Sequence, residues 1–325
     1  MDRIIQTNQK YKNTLKPIIG LFLVFGFIFF TDPSKSKAQS LSLSISPPLT
    51  EVVSMPQEEN LLKFTLKNNG NDTIISPHIY PFSPSGEVGN VSIEKNLLEF
   101  DPSGFLSWFS FVKPEVKPGG KFILKSGDSL NIVLKLTPPK SANEGDYYFS
   151  LLFATESDSF LGNQGVSNQM ELGTNILLTV SKDGNPKKAA SIVEFSAPLF
   201  IDSFQGEIPY TVRLANNGLA FFKPEGTITV NPTFENQKTL FLAPQNIAVA
   251  STRQLYCLDN EALIPCQLKE KVLLGKYKAV LNFSIEGSDV TYSKEITTIA
   301  FPIYLTISII CAVVVLILIA KALKK

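Results

Sequence analysis

A chain of 325 residues with 44% apolar side chains exceeds one typical domain and can bury substantial cores. Thirty basic against 29 acidic residues leave a net charge of +1, so no global field recruits nucleic acid, and nucleic acid is excluded as a partner. One histidine and three cysteines leave little material for nucleophilic or metal chemistry.

The N-terminal segment carries Arg3, Lys10, Lys12 and Lys16, then an apolar run from Ile18 to Phe30. That run is short for a membrane span and suits a signal-peptide core. Ser36-Lys37-Ala38 supplies the small residues a signal peptidase reads, which predicts a signal peptide over 1–38 with cleavage before Gln39. An uncleaved N-terminal anchor is the alternative.

From Leu41 the text reads LSLSISPP, an alternating strand that Pro47-Pro48 ends or bends at a sheet edge. Leu62, Phe64 and Leu66 mark a second strand, closed by Asn68-Asn69-Gly70-Asn71-Asp72, where Asn and Gly tolerate positive φ. Ile74 to Phe82 and Val91 to Phe100 read as short strands broken by Pro77, Pro81, Pro84, Gly86 and Gly89. Phe105 to Phe111 holds the only tryptophan, Trp108, read as a core anchor. Leu130, Ile132, Leu134 and Leu136 alternate cleanly. Tyr147, Phe149, Leu151 and Phe153 then complete a hairpin-like pair, and Ile176, Leu178 and Val180 close the domain after a polar loop from Glu156 to Gly173.

Lys182 to Lys188 reads as a linker. Beyond it FTLKNNG (Phe64 to Gly70) is echoed by TVRLANNG (Thr211 to Gly218), a weak repeat that places two similar domains in tandem. Further strands fall at Thr227 to Val230, Thr239 to Leu242, Arg253 to Cys257, Tyr277 to Ile285 and Val290 to Ile296. In Phe221-Phe222, adjacent rings point to opposite faces, so one lies outside the core or packs on the other domain. Cys257 and Cys266 bracket a loop of about ten residues and form a candidate disulfide worth about 2.5 kcal/mol.

The segment FPIYLTISIICAVVVLILIA (Phe301 to Ala320) has no charge over about twenty residues, the length that crosses about 30 Å of hydrocarbon as a helix. Phe301, Leu305, Val314 and Leu318 are anchor residues, and Lys321, Lys324 and Lys325 hold the tail inside by the positive-inside rule. The predicted fold class is all-β, two tandem immunoglobulin-like β-sandwiches followed by one transmembrane α-helix. The predicted boundaries are 1–38 signal peptide, 39–182 first sandwich, 183–190 linker, 191–298 second sandwich, 299–320 transmembrane helix and 321–325 cytoplasmic tail.

Catalytic signatures are lacking: His78 stands alone in SPHIYPF, no serine sits in a G-x-S-x-G elbow, and no carboxylate string has calcium- or metal-ligand spacing. No catalytic, cofactor-binding or metal residue is assigned, and an enzyme is not expected.

Several strand motifs resemble those of bacterial surface proteins of the WxL-interacting type. They are ISPP (Ile45 to Pro48), LKNNG, the Gly127-Asp128 turn before LNIVLKLTPP, EGDYYFSLLF (Glu144 to Phe153), LANNGLAFFKPEG (Leu214 to Gly226) and LLGKYKAVLNF (Leu273 to Phe283). The resemblance implies peptidoglycan binding by the first domain and a surface-protein partner for the second. The resulting expectation is a single-pass bacterial cell-membrane protein whose outer domains engage peptidoglycan or another surface protein. The alternative is a tethered structural or chaperone-like subunit of an envelope assembly.

Overall fold

The computed structural model describes residues 42–96, 104–113, 115–155, 170–288 and 290–323. The expected signal peptide, the cleavage site, residues 156–169 of the polar loop, and Lys324 and Lys325 lie outside the described residues.

The first half contains β1 (Leu43–Ser46), β2 (Leu49–Ser54), β3 (Asn60–Asn68), β4 (Thr73–Ser85), β5 (Asn90–Ile93), β6 (Phe109–Phe111), β7 (Phe122–Leu124), β8 (Ser129–Leu136), β9 (Gly145–Thr155) and β10 (Glu171–Val180). One sheet runs β1-β3-β8-β6, and the facing sheet runs β2-β10-β9-β4-β5 with β7 beside β4. Alternation explains the layers: Leu62, Phe64 and Leu66 of β3 and Ile132, Leu134 and Leu136 of β8 face inward onto Phe149, Leu151 and Phe153 of β9. Trp108 is buried in this core and meets Tyr147 edge-on at 4.9 Å.

The Trp108 segment divides into a 3-10 turn, Phe105–Trp108, and the strand Phe109–Phe111. Two sequence readings change. β8 and β9 are not a hairpin, because they belong to opposite sheets, and β9 instead pairs with β4 and β10. Pro77 and Pro81 do not break β4. Their carbonyls accept from Gly119 and Glu94, on the side away from β9, so each ring nitrogen falls where the β9 ladder requires no donor.

The second half contains β11 (Ala190–Ser196), β12 (Phe200–Asp202), β13 (Glu207–Pro209), β14 (Thr211–Asn216), β15 (Pro224–Pro232), β16 (Lys238–Leu242), β17 (Thr252–Gln254), β18 (Cys257–Asp259), β19 (Ala262–Ile264), β20 (Gln267–Lys269), β21 (Gly275–Ile285) and β22 (Thr291–Phe301). Its sheets are β11-β14-β17, β12-β22-β21-β15-β16-β18-β19 and the pair β13-β20. They enclose a separate core that includes Phe222, Tyr277, Leu281 and Phe283. The predicted strand Arg253 to Cys257 is two strands: β17 joins β14, and β18 joins β16 across the sandwich.

The two halves repeat a plan as well as a motif. In each, the opening strand pairs antiparallel in one sheet (β1 on β3, β11 on β14). The chain then crosses at a proline-containing segment, Pro47-Pro48 or Ala197-Pro198, and continues parallel to the last strand of the facing sheet (β2 on β10, β12 on β22). The shared Asn-Asn-Gly ends these strands differently from the sequence reading, since none of its residues has positive φ. The first asparagine is instead a buried bracket. Asn68 Nδ2 donates to the carbonyls of Asn71 and Leu124, and its Oδ1 accepts from Gly70 N–H. Asn216 does the same with Ala220, Ile247 and Gly218.

Cys257 and Cys266 are bonded (S–S 1.98 Å) and buried in the second core, clipping the β18–β19 hairpin to β20. Closing a nine-residue separation removes unfolded-chain entropy worth about 2.5 kcal/mol. The paired Cys257→Ala and Cys266→Ala variant is therefore expected to lose about that much stability in denaturant titration, with no change in the first sandwich.

β22 runs to Phe301, and helix α1 (Ile303–Leu323) follows after Pro302 alone. Phe301, read from the sequence as part of the membrane helix, is the last residue of the strand, because its backbone pairs with Asp202 of β12. Its 21 residues make α1 long and apolar enough to cross a bilayer, and none of its side chains is buried. Leu305, Val314, Leu318 and Lys321 all lie on it. Thr306 and Ser308 return their hydroxyls to the carbonyls of Pro302 and Tyr304, which satisfies both polar groups within the helix. Limited proteolysis of the full chain is expected to leave residues 291–303 uncut; efficient cleavage there would show a stalk in place of the continuous strand and helix.

Candidate functional site

The polar junction between the two sandwiches forms the candidate site, and it begins with Asp146, the second residue of β9. As a charged side chain in an inward-leaning strand it must find donors, and it finds them in both halves. Thr179 Oγ1 donates to its Oδ1 at 2.6 Å, while Tyr148 Oη and the backbone N–H of Phe221 each donate to Oδ2 at 2.6 Å. Tyr148 Oη in turn accepts from Val249 N–H at 2.8 Å. Burial, the largest influence, pushes the Asp146 carboxyl above its usual range against the opposing pull of these donors. It also pushes the Tyr148 hydroxyl up.

Two further bridges flank this bolt. Glu51 on β2 accepts from Lys223 Nζ at 2.8 Å and from Asn246 Nδ2 at 2.6 Å. Glu87, in the β4–β5 turn, is held by Arg213, which also reaches Glu194 at 3.2 Å. The Arg213 guanidinium holds the Glu87 carboxyl below its usual range, and Gln254 N–H donates to the Glu87 carbonyl at 2.8 Å.

Between these bridges lies a cleft of about 450 Å³, with Leu49, Val91 and Phe221 on its walls and Arg253 at its side. Phe82 and Tyr148 stack on each other there at 5.5 Å. Arg253 differs from Lys223 and Arg213, which are paired with Glu51 and Glu87. Its Nη1 donates to the Asn246 carbonyl at 2.6 Å, but no carboxylate among the described residues pairs with it. Its Nε and the neighbouring Asn246 Oδ1 are buried without a hydrogen-bond partner. Desolvation lowers its pKa, the sign of a cation held away from water. Gly89 (φ +89°) lies directly over the guanidinium, where any Cβ would collide with it.

A half-buried guanidinium without a carboxylate partner among the described residues, beside an open cleft, can accept an anion. No sequence signal marks it: Arg253 is one residue in an ordinary strand, and its environment is made by chain segments more than 150 residues apart. Phe221-Phe222 was legible in part, with Phe222 buried in the second core and Phe221 facing the cleft and the first sandwich. His78 lies on β4 away from the cleft lining, near Ser76 Oγ at 3.1 Å and stacked on Tyr80. Among the described residues no group of three or more His, Cys, Asp or Glu side chains converges as a metal site.

No family model matches the chain, and no curated protein matches it. Among solved structures it is similar to a chaperone–tip adhesin complex of CFA/I fimbriae (10% identity, 79% of this chain and 98% of that chain, TM-score 0.39). It is similar to the YadV chaperone (10%, 78% and 99%, TM-score 0.38). A third likeness is to the CsuC–CsuE chaperone–tip adhesion subunit complex of Acinetobacter baumannii (14%, 80% and 99%, TM-score 0.35).

Proposed function

We propose that this chain is a non-enzymatic, chaperone-like assembly subunit of the bacterial envelope, tethered by α1, whose two immunoglobulin-like sandwiches hold an extended segment of a partner protein in their cleft. The observation that carries this reading is Arg253, a half-buried guanidinium whose Nε has no hydrogen-bond partner and which has no carboxylate partner among the described residues. A carboxylate of the partner completes its hydrogen bonds, and apolar side chains of the same segment rest on Leu49, Val91 and Phe221. The outer edge of β10 supports the same reading. β2 covers it from Asn175 to Val180, and the stretch from Glu171 to Gly173 has no second strand partner among the described residues, so it can accept a partner strand.

Polymer binding, the role implied by the WxL-interacting resemblance, draws less support from the geometry. Sugar recognition uses open aromatic faces, and of the three aromatic rings on the cleft lining Phe82 and Tyr148 stack on each other, which leaves Phe221. In this reading the sandwiches lie outside the membrane, and Lys321, Lys324 and Lys325 lie inside. Purified cell-wall sacculi mixed with the detergent-solubilised full chain are expected to retain none of it; retention abolished by Arg253→Glu would assign the cleft to wall polymer.

A further inference from the structure

Six large apolar side chains are left exposed at one end of the second sandwich, and the strand that leaves that end enters α1. Phe200 lies opposite Ile299, and Asp202 opposite Phe301, in the parallel β12–β22 ladder. Phe301 C=O accepts from Ser203 N–H at 3.1 Å, and Ser203 C=O accepts from Leu273 N–H at 2.9 Å. These bonds place Phe204 and the Val272–Leu274 loop beside the exit. On the neighbouring strand Gly275 lies opposite Ala300, and Phe234 packs where a Gly275 side chain would stand. Phe200, Phe204, Phe234, Val272, Leu274 and Phe301 thus surround the root of the helix, with exposures from 39% for Phe301 to 71% for Phe234. Stability does not call for this: the core of the sandwich is already filled, and each of these side chains points out of it.

The junction at this root is fastened. Asp202 Oδ1 accepts from Phe204 N–H at 2.9 Å, and its Oδ2 accepts from Tyr304 N–H at 3.1 Å. One carboxylate therefore caps the first turn of α1 and ties it to the apolar rim. With only Pro302 between strand and helix, the sandwich cannot drift from the membrane plane. At about 3.3 Å per strand residue, the rim stands within the headgroup layer, about 5–8 Å deep, when α1 begins at the hydrocarbon boundary.

We infer that this end of the second sandwich is a bilayer-docking surface, its six apolar side chains seated in the interfacial layer of the outer leaflet around the root of α1. The inference rests on α1 spanning a membrane. A lipid occupant is favoured over a protein by continuity: the rim encircles the start of a fully exposed apolar helix, as an interfacial belt does. Seating the rim sets the height and tilt at which the cleft is presented.

The test uses the full chain reconstituted in vesicles of phosphatidylcholine brominated on its acyl chains, with tryptophan fluorescence as the readout. Trp108 is buried in the first sandwich and supplies the unquenched baseline. Phe204→Trp and Phe234→Trp are expected to add emission that the brominated lipid quenches by about half relative to unbrominated vesicles, as for a side chain in the interface. Ile310→Trp, in mid-helix, reports the span itself. If Ile310→Trp is quenched and the two rim tryptophans are not, the docking surface is overturned while the span stands, and the rim is free for a protein partner. If Ile310→Trp is not quenched either, the membrane reading fails and the docking surface with it.

Discussion

Replacing Asp146 by alanine is expected to open the junction between the sandwiches and to cost about 3–5 kcal/mol, since three donors lose their acceptor and each orphaned buried group costs about 1–3 kcal/mol. The donors are Thr179 Oγ1, Tyr148 Oη and Phe221 N–H, and Tyr148 Oη is also the acceptor for Val249 N–H. Hydrogen exchange locates the loss. The amides of Phe221 and Val249 are expected to exchange at least about a hundredfold faster, a tenfold change corresponding to about 1.4 kcal/mol, while the amides of β8 and β21 keep their protection. Unchanged exchange at Phe221 would show that the bolt holds nothing.

Asp146 also fixes a direction for pH. Burial raises its folded-state pKa above the usual carboxylate value. Its contribution is therefore fully present below that usual value and is lost as pH rises through the raised one. Mild acid does not open the junction through this residue. Asp146→Asn, which keeps an acceptor without the charge, is expected to cost less than alanine at neutral pH and to flatten the dependence.

Arg253 is expected to trade stability for binding. Arg253→Gln removes a desolvated cation that no acid offsets, so stability is expected to be unchanged or slightly higher, while capture of the partner falls about 10- to 100-fold through loss of a charge-assisted bond worth about 1.5–3 kcal/mol. Arg253→Lys keeps the charge but not the planar fork and is expected to fall between. A destabilised Arg253→Gln with intact binding would make the residue structural.

What could be read in the residues before folding was whatever repeats along one strand. Leu62, Phe64 and Leu66, or Tyr277 to Ile285, announce an inward face by alternation alone, and the charge-free stretch from Ile303 announces a helix. The pairing of strands was less legible. β8 and β9 follow each other closely yet lie in different sheets, and the tolerance of β4 for Pro77 and Pro81 depends on which edge each nitrogen faces. The Asn-Asn-Gly repeat pointed to a tandem fold, but the role of Asn68 and Asn216 as buried brackets needs carbonyls from distant loops. The cleft was illegible for the same reason. Glu51, Glu87 and Asp146 are separate in the chain and far from Asn246 and Arg253, and only packing one sandwich on the other shows that each of the three carboxylates has its donors while the guanidinium has no acid among the described residues.

The central claim, that the cleft holds a protein segment through Arg253, is tested most directly by photocrosslinking in cells, with p-benzoylphenylalanine placed at Val91 on the cleft wall of the full-length chain. A discrete, stoichiometric protein adduct that disappears in the Arg253→Glu background, with the chain still folded and membrane-bound, is the expected result. Adducts to wall polymer, or a protein adduct indifferent to Arg253→Glu, would contradict it.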